Sequence, residues 1–440
     1  MSDFLIQKTN PEAHVVNDIP ALISSQMLTK PVIACKASVR SVISTSSSLT
    51  NGGSAYLYLP SSTNSFIKSG STFLNFTLSV VTSATGATAA FSFGGGPIQD
   101  ASALVQRMQI SSNTILENIQ FYTQASNMYV LNKTNSNYVQ QDLQALAGAN
   151  FSQAGYNLNG EGTTVNSSFN ISIPVLLGVL NSPDSYFPLC LTSSSPAILV
   201  DFQSNLNMIF TTAVNNSVTS YTVSNIQLSY ECIEVDPLYV QELRMALREG
   251  GVYSFSAQNI QMIAQGDSTL VNQEYGLSCN SLNQVSLCNY TTPSDQTSAG
   301  AFTANSQTIG QVYIDNEPVI NSRPQDVTKW QSLVYANNKS GWCSLWDPTM
   351  SHAVPTCGSA ASGFQVIANS ASSPYVLTAF TSSAPLSSFN EAGLIFCGRP
   401  CNRCRIEIQK SSVANSQLYV LFVRDCIYQI GADGSISQKF

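Results

Sequence analysis

Short apolar runs, separated by turns rich in Ser, Asn and Gly, recur from residue 31 to residue 430, and one capped helix interrupts them near the midpoint. Before the helix the runs include "PVIACKASVRSVI" (31–43), "AYLYLP" (55–60), "TFLNFTLSVV" (72–81), "FNISIPVLL" (169–177), "AILVDFQ" (197–203) and "YTVSNIQLSYECIEV" (221–235). In the last, Val223, Ile226, Leu228, Tyr230 and Cys232 are mostly two apart, the period of a strand with one buried face. The interruption is "DPLYVQELRMALREGG" (236–251). Asp236 serves as its N-cap, Pro237 takes the first helical position and Gly250 stops it. Tyr239, Leu243 and Ala246/Leu247 share one face. The strand pattern then resumes in "YSFSAQNIQMIA" (253–264), "GQVYID" (310–315), "CRIEIQ" (404–409) and "LYVLFVRDCIYQI" (418–430). Two more helices are expected, at 324–337 with Val327, Trp330 and Val334 in a stripe, and at 113–122 with Ile115, Ile119 and Tyr122 aligned. At 440 residues the chain exceeds one ordinary core. It reads as an arm (1–30), a β-domain (31–235), a linking helix (236–250) and a second β-domain (251–440), with no sequence repeat between the halves.

Charged residues make up 10% of the chain, against about 25% in an ordinary soluble domain. Ser, Thr, Asn and Gln supply the missing polarity, which suits a β-rich protein with long loops and large subunit contacts. The net charge is -7, and no Lys or Arg lies between Lys133 and Arg244. A groove for DNA or RNA needs clustered cations, so direct or sequence-specific nucleic-acid binding is not expected. The opening "MSDFLIQKTNPEAHVV" has no charged-then-apolar leader pattern, and the longest apolar run, "IPVLLGVL" (173–180), is too short for a membrane helix. The eleven cysteines read as reduced thiols. The Asn-x-Ser/Thr sites at Asn75, Asn132, Asn150, Asn166, Asn170, Asn215, Asn289 and Asn338 read as chance in so Asn-rich a chain.

Catalytic chemistry finds little support. The two histidines, His14 and His352, fall in the arm and in a loop; Asp347 is near His352 in sequence, but a surface loop histidine is a plainer reading than a catalytic one. "FGGGPIQD" (93–100) lacks the Lys-Ser/Thr of a phosphate-binding loop and reads as a turn before a strand. Trp330, Trp342 and Trp346 read as core and loop anchors or as a sugar platform. The stretch "AGLIFCGRPCNRCRIEIQK" (392–410) places Cys397, Cys401 and Cys404 together. A zinc site there needs a fourth ligand from Cys343, Cys357 or His352. The plainer reading is a turn made by Gly398 and Pro400, with Cys404 starting a strand. No stoichiometric metal and no obligatory disulfide are expected at these cysteines, and no catalytic, cofactor-binding or metal-ligating residue is assigned.

That same stretch, with "SQLYVLFVRDCIYQIGADGSI" after it, resembles the end of a double jelly-roll major capsid protein. The matching positions are Ala392-Gly393, Arg424-Asp425 and Asp433-Gly434. Upstream, "GGPIQDASALVQRMQISSNTILENIQFY", "ISIPVLLGVLNSPDSYFPLCL" and "DPLYVQELRMALREGGVYSF" resemble further segments of that family, in the same order. The pattern is nearest to polinton-like viruses and virophages, and more distant from adenovirus hexon. The cysteines near 397–404 depart from it. The resemblance implies an all-β chain of two tandem eight-stranded jelly-roll β-sandwiches with a few short helices. It implies a non-enzymatic viral major capsid protein, without cofactor, whose homotrimeric, pseudo-hexagonal capsomers tile an icosahedral shell around a DNA genome. It implies self-association, neighbouring penton and minor capsid proteins, inner-face contacts through the arm, and a place in the virion after assembly inside the host cell. Long loops such as 292–307 and 339–375 would stand at the outer end. The alternative is a secreted or surface carbohydrate-binding β-sandwich, motivated by the Trp-containing loop and the glycosylation sequons; a jelly-roll glycoside hydrolase would need an acid pair.

Overall fold

The computed structural model describes residues 35–83, 91–94, 98–133, 144–148, 150–151, 166–182, 186–212, 216–297, 301–303, 307–319, 377–380, 398–410 and 416–440. Its longer elements in the first half are β1 (Cys35–Ile43), β2 (Gly53–Tyr58), β3 (Phe73–Thr82), β4 (Val105–Ser111), β5 (Ile115–Gln120) and α1 (Tyr122–Lys133). These are followed by β6 (Asn166–Pro174), the single turn α2 (Gly178–Asn181), β7 (Ala197–Phe202) and β8 (Val218–Val235). Helix α3 (Pro237–Arg248) leads to β9 (Tyr253–Gly266), β10 (Leu270–Thr291), β11 (Gln307–Ile314), β12 (Arg399–Lys410), β13 (Ser416–Ile430) and β14 (Ile436–Lys439). Among the described residues no helix is long and apolar enough to cross a membrane.

The first half packs two antiparallel sheets face to face. One runs β6-β3-β8, with β1 also paired to β8; the other runs β2-β7-β4-β5. Strict alternation builds them. In β3, Leu74, Phe76, Leu78 and Val80 point inward, while Asn75, Thr77 and Ser79 do not. Register then stacks like on like: Leu74 lies opposite both Ile173 and Leu228, and Ile198 lies between Leu57 and Ile110. The Phe76 and Phe202 rings meet edge to face at 5.8 Å, joining the two sheets. Helix α3 forms as its sequence predicts: Asp236 accepts from the Leu238 N–H at 2.9 Å, and Val240, Leu243 and Leu247 are buried.

In the second half the strand order is β9-β13-β10-β12-β11, with β14 on β13. Strand β10 is long enough to pair β12 through residues 270–282 and β13 through residues 282–291. Strand β13 is apolar on both faces, as its sequence requires, but only one face belongs to its own sandwich. Leu418, Val420 and Phe422 join the core shared with β10–β12. Tyr419, Leu421, Val423, Tyr428 and Ile430 join a core continuous with the first half. The alternation slips by one residue at Arg424-Asp425, and both are buried.

Two expectations fail here. The segment 113–122 is mainly strand β5, pairing Met108 with Ile119, and helix α1 begins only at Tyr122. The apparent helical spacing is coincidental, because Ile115 is 58% exposed while Ile119 is buried. Phe121, at φ 53°, breaks the chain between strand and helix. Strand β12 starts at Arg399, so Cys401 and Cys404 both lie within a strand and only Gly398 remains before it.

The halves meet closely at Gly178, where an added Cβ would sit 1.8 Å from the Gln258 carbonyl oxygen of β9. Gly178→Ala should therefore cost ~2–3 kcal/mol by forcing the halves apart. Denaturant unfolding checks this, with Gly266→Ala, which faces open space, as the small-effect control.

Candidate functional site at the joint between the sandwiches

The joint is an apolar face with a polar pin through it. The Phe121 and Tyr419 rings touch edge to face at 5.2 Å, and Phe187 and Phe255 at 5.9 Å. Five large side chains of β13, at roughly 2 kcal/mol each, outweigh what a few hydrogen bonds contribute. The bonds instead fix the register. Glu117, buried on edge strand β5, accepts from the Ile260 N–H of edge strand β9 at 2.8 Å and from the Val179 N–H of α2 at 3.2 Å. The Gln258 N–H donates to Ser182 Oγ at 2.7 Å. The Asn259 amide reaches the Leu116 carbonyl at 3.5 Å, and the Gln438 amide donates to the same oxygen. At the far side the Ser193 N–H donates to the Gly434 carbonyl at 3.1 Å. Gly434 has φ +71°, and a Cβ there would lie 2.6 Å from the Ser193 nitrogen, so only glycine fits that position.

Arg424 and Asp425 lie at the slip in β13. Arg424 donates to Asn259 Oδ1 at 2.9 Å and lies 4.2 Å over the Phe440 ring. Asp425 accepts from Ser281 Oγ and Asn283 Nδ2, each at 2.5 Å, and Ser281 Oγ in turn accepts from the Gly398 N–H at 2.8 Å. The carboxylate thus holds the residue that precedes the cysteine-rich strand. A cleft of about 670 Å³ opens beside the pin, lined among others by Glu117, Asn118, Phe121, Met262 and Arg424. Both Glu117 oxygens accept from backbone N–H groups, so this side chain ties the two halves together at the joint.

The cysteines lie differently from their sequence reading. Cys401 stands opposite Cys279 of β10, and Cys404 opposite Tyr275 and Ile314. All three are buried in the second core. Among the described residues no group of three His, Cys, Asp or Glu side chains could hold a metal ion. Asp100 of the glycine-rich segment caps a short turn by accepting from the Ser102 N–H at 3.0 Å. His14, His352, Trp330, Trp342, Trp346, Cys343, Cys357, Cys397, the pair Ala392-Gly393, the helix 324–337 and the loop 339–375 lie outside the described residues. The described part of the loop 292–307 turns back on its own chain: Gln296 is buried, pairing with the Val218 backbone at 2.6 and 2.9 Å. Sequence reasoning missed Glu117, Asn259 and Cys279. The one available signal was a lone Glu at an inward strand position in "ILENIQ".

No family model and no curated protein matches the sequence. The fold nevertheless belongs to a known class, the double jelly roll of viral major capsid proteins. Among solved structures, the PBCV-1 virus capsid matches with a TM-score of 0.57 and 10% identity, over 94% of this chain and 99% of that one. The Sputnik virophage structure matches with a TM-score of 0.51 and 10% identity, over 92% and 88%. The sequence resemblance and the fold thus agree.

Burial pushes Glu117 from 4.5 up to about 7, against the N–H groups and the Arg424 charge that pull it down. The folded chain therefore keeps a proton that the unfolded chain releases near pH 4.5. This raised carboxyl favours folding most at low pH, and the advantage is lost as pH climbs to about 7, a change of roughly 3 kcal/mol. Asp100, pushed to about 6 by burial, has the same sign. Subtracting the stability of Glu117→Gln from wild type cancels the Asp100 part. That difference should fall by ~2–3 kcal/mol between pH 4.5 and pH 8, measured by denaturant unfolding at each pH.

Proposed function

We propose that this chain is a viral major capsid protein forming homotrimeric, pseudo-hexagonal capsomers that tile an icosahedral shell around a DNA genome. The observation that carries the reading is a two-sandwich fold matching nearly the whole length of a chain from the PBCV-1 virus capsid. Its parts are an arm (1–30), a first jelly roll (31–235), a linking helix (236–250) and a second jelly roll (251–440). The role is structural and not enzymatic. The partners are further copies of the chain, with penton and minor capsid proteins, and the arm reaches inner components. Assembly takes place inside the host cell and the product resides in the virion.

The surface supports subunit contact. Val39 and Ile43 on β1, Leu238 and Met245 on α3 and Leu270 on β10 are 50–80% exposed in the single chain. With so few charges, joining such faces desolvates few ions. The carbohydrate-binding alternative loses part of its motivation. Asn289, one of its sequon asparagines, is 1% exposed and accepts from Lys410 Nζ at 2.7 Å. Asn75 ties three strands, donating to Ser229 Oγ at 2.7 Å and accepting from Ser172 Oγ at 2.6 Å.

Light scattering of the purified chain should give the mass of three copies, and electron microscopy of expressing cells should show closed shells. Deleting residues 2–25 should spare the trimer and impair the shells. A well-folded monodisperse monomer overturns the proposal.

A further inference from the structure

Strands β10 and β12 run antiparallel, and their register shifts twice, between Gly276 and Cys279 and again between Cys279 and Leu282. The pair Cys279 and Cys401 stands alone between the two shifts. Directly opposed residues of an antiparallel pair have Cα atoms about 4.5–5.5 Å apart. A disulfide accepts roughly 4.4–6.8 Å. Both thiols are free and buried, at 4% and 1% exposure. Beside them Ser278 holds φ 47°, a left-handed conformation that non-glycine residues seldom adopt. Strand irregularities of this kind disrupt the ladder locally. Cys404 is fully buried nearby, and its direct cross-strand partners are Tyr275 and Ile314.

We propose that Cys279 and Cys401 form a reversible disulfide site, closed by a peroxide-class oxidant and opened by a thiol reductant. The neighbouring Cys401 thiol and the positive charge of Arg424 draw the Cys279 thiol below its ordinary value, so Cys279 is the attacking sulfur. Its thiolate attacks one peroxide oxygen; the O–O bond breaks, a sulfenic acid forms and hydroxide leaves to take up a proton as water. The Cys401 sulfur then attacks the sulfenic sulfur, the S–O bond breaks and a second water departs. Two thiols lose two electrons in all, and one hydrogen peroxide becomes two waters. The bond closes a loop of roughly 120 residues and fastens the start of β12, just after Gly398, to the middle of β10. This inference does not depend on the capsid reading.

The test exposes the purified full chain to hydrogen peroxide, blocks remaining thiols with N-ethylmaleimide in denaturant, and maps peptides by mass spectrometry. Expected are the loss of two alkylated thiols, a linked Cys279–Cys401 peptide that dithiothreitol releases, and a rise in unfolding midpoint of ~5 °C. Cys279→Ser and Cys401→Ser should each abolish all three results, and Cys404→Ser should leave them intact. If a variant fails to fold, the wild-type peptide map decides. Free Cys279 and Cys401 after oxidation of a folded chain, or a link from Cys401 to Cys397 or Cys404, overturns the proposal.

Discussion

The Glu117 carboxylate lies where two sheet edges meet, and the rest of the molecule is arranged around that meeting. An edge strand normally offers its unpaired N–H groups to water or to another chain. Here the N–H groups of β9 at Gln258 and Ile260 are taken by Ser182 and Glu117 of the first sandwich. Side-chain oxygens replace the ladder that β5 and β9 would otherwise form. The two sheets therefore end at the joint without merging into one. The apolar face of β13 then supplies most of the cohesion, and the polar contacts decide how the faces are aligned.

Scarcity of charge is compensated throughout by neutral hydrogen bonds. Gln296 acts as a surrogate strand residue against Val218, and Asn75 bridges β6 and β8. A hydroxyl or amide at these places costs far less to bury than an ion and still selects one geometry. Where ions are buried, they carry several partners. Lys410 contacts Asp267 and Asn289, and Asp267 also accepts from Ser416 at 2.6 Å.

The elements that the sequence made legible are those with one wet face. Strands β3 and β7 alternate cleanly, β8 does so for most of its length, and α3 carries an N-cap, an N1 proline and a stripe, so local chemistry sufficed. Strand β10 went unread because Ser281, Asn283, Gln284, Ser286 and Asn289 are all buried within it. No hydropathy pattern marks such a strand; its polar groups are matched by residues distant in sequence. Helix α1 was hidden for a related reason: Tyr122, Ala125, Met128 and Val130 are buried together with Thr123, Gln124 and Asn127, so it shows no stripe. Of the joint, only Arg424-Asp425 and Asp433-Gly434 could be picked out beforehand, and then by family likeness. Glu117, Gly178 and Cys279 acquire meaning only from what the fold places opposite them.

The double allegiance of β13 bears on the order in which the molecule can be completed. A ribosome delivers residues 35–235 long before residues 416–430. The first sandwich can close its own core early, but the surface that receives Tyr419, Leu421 and Tyr428 must wait for nearly the whole chain. Until then that surface is sticky and uncovered. A nascent chain of this design has reason to be sheltered, or to be crowded with others like it, until its last long strand arrives.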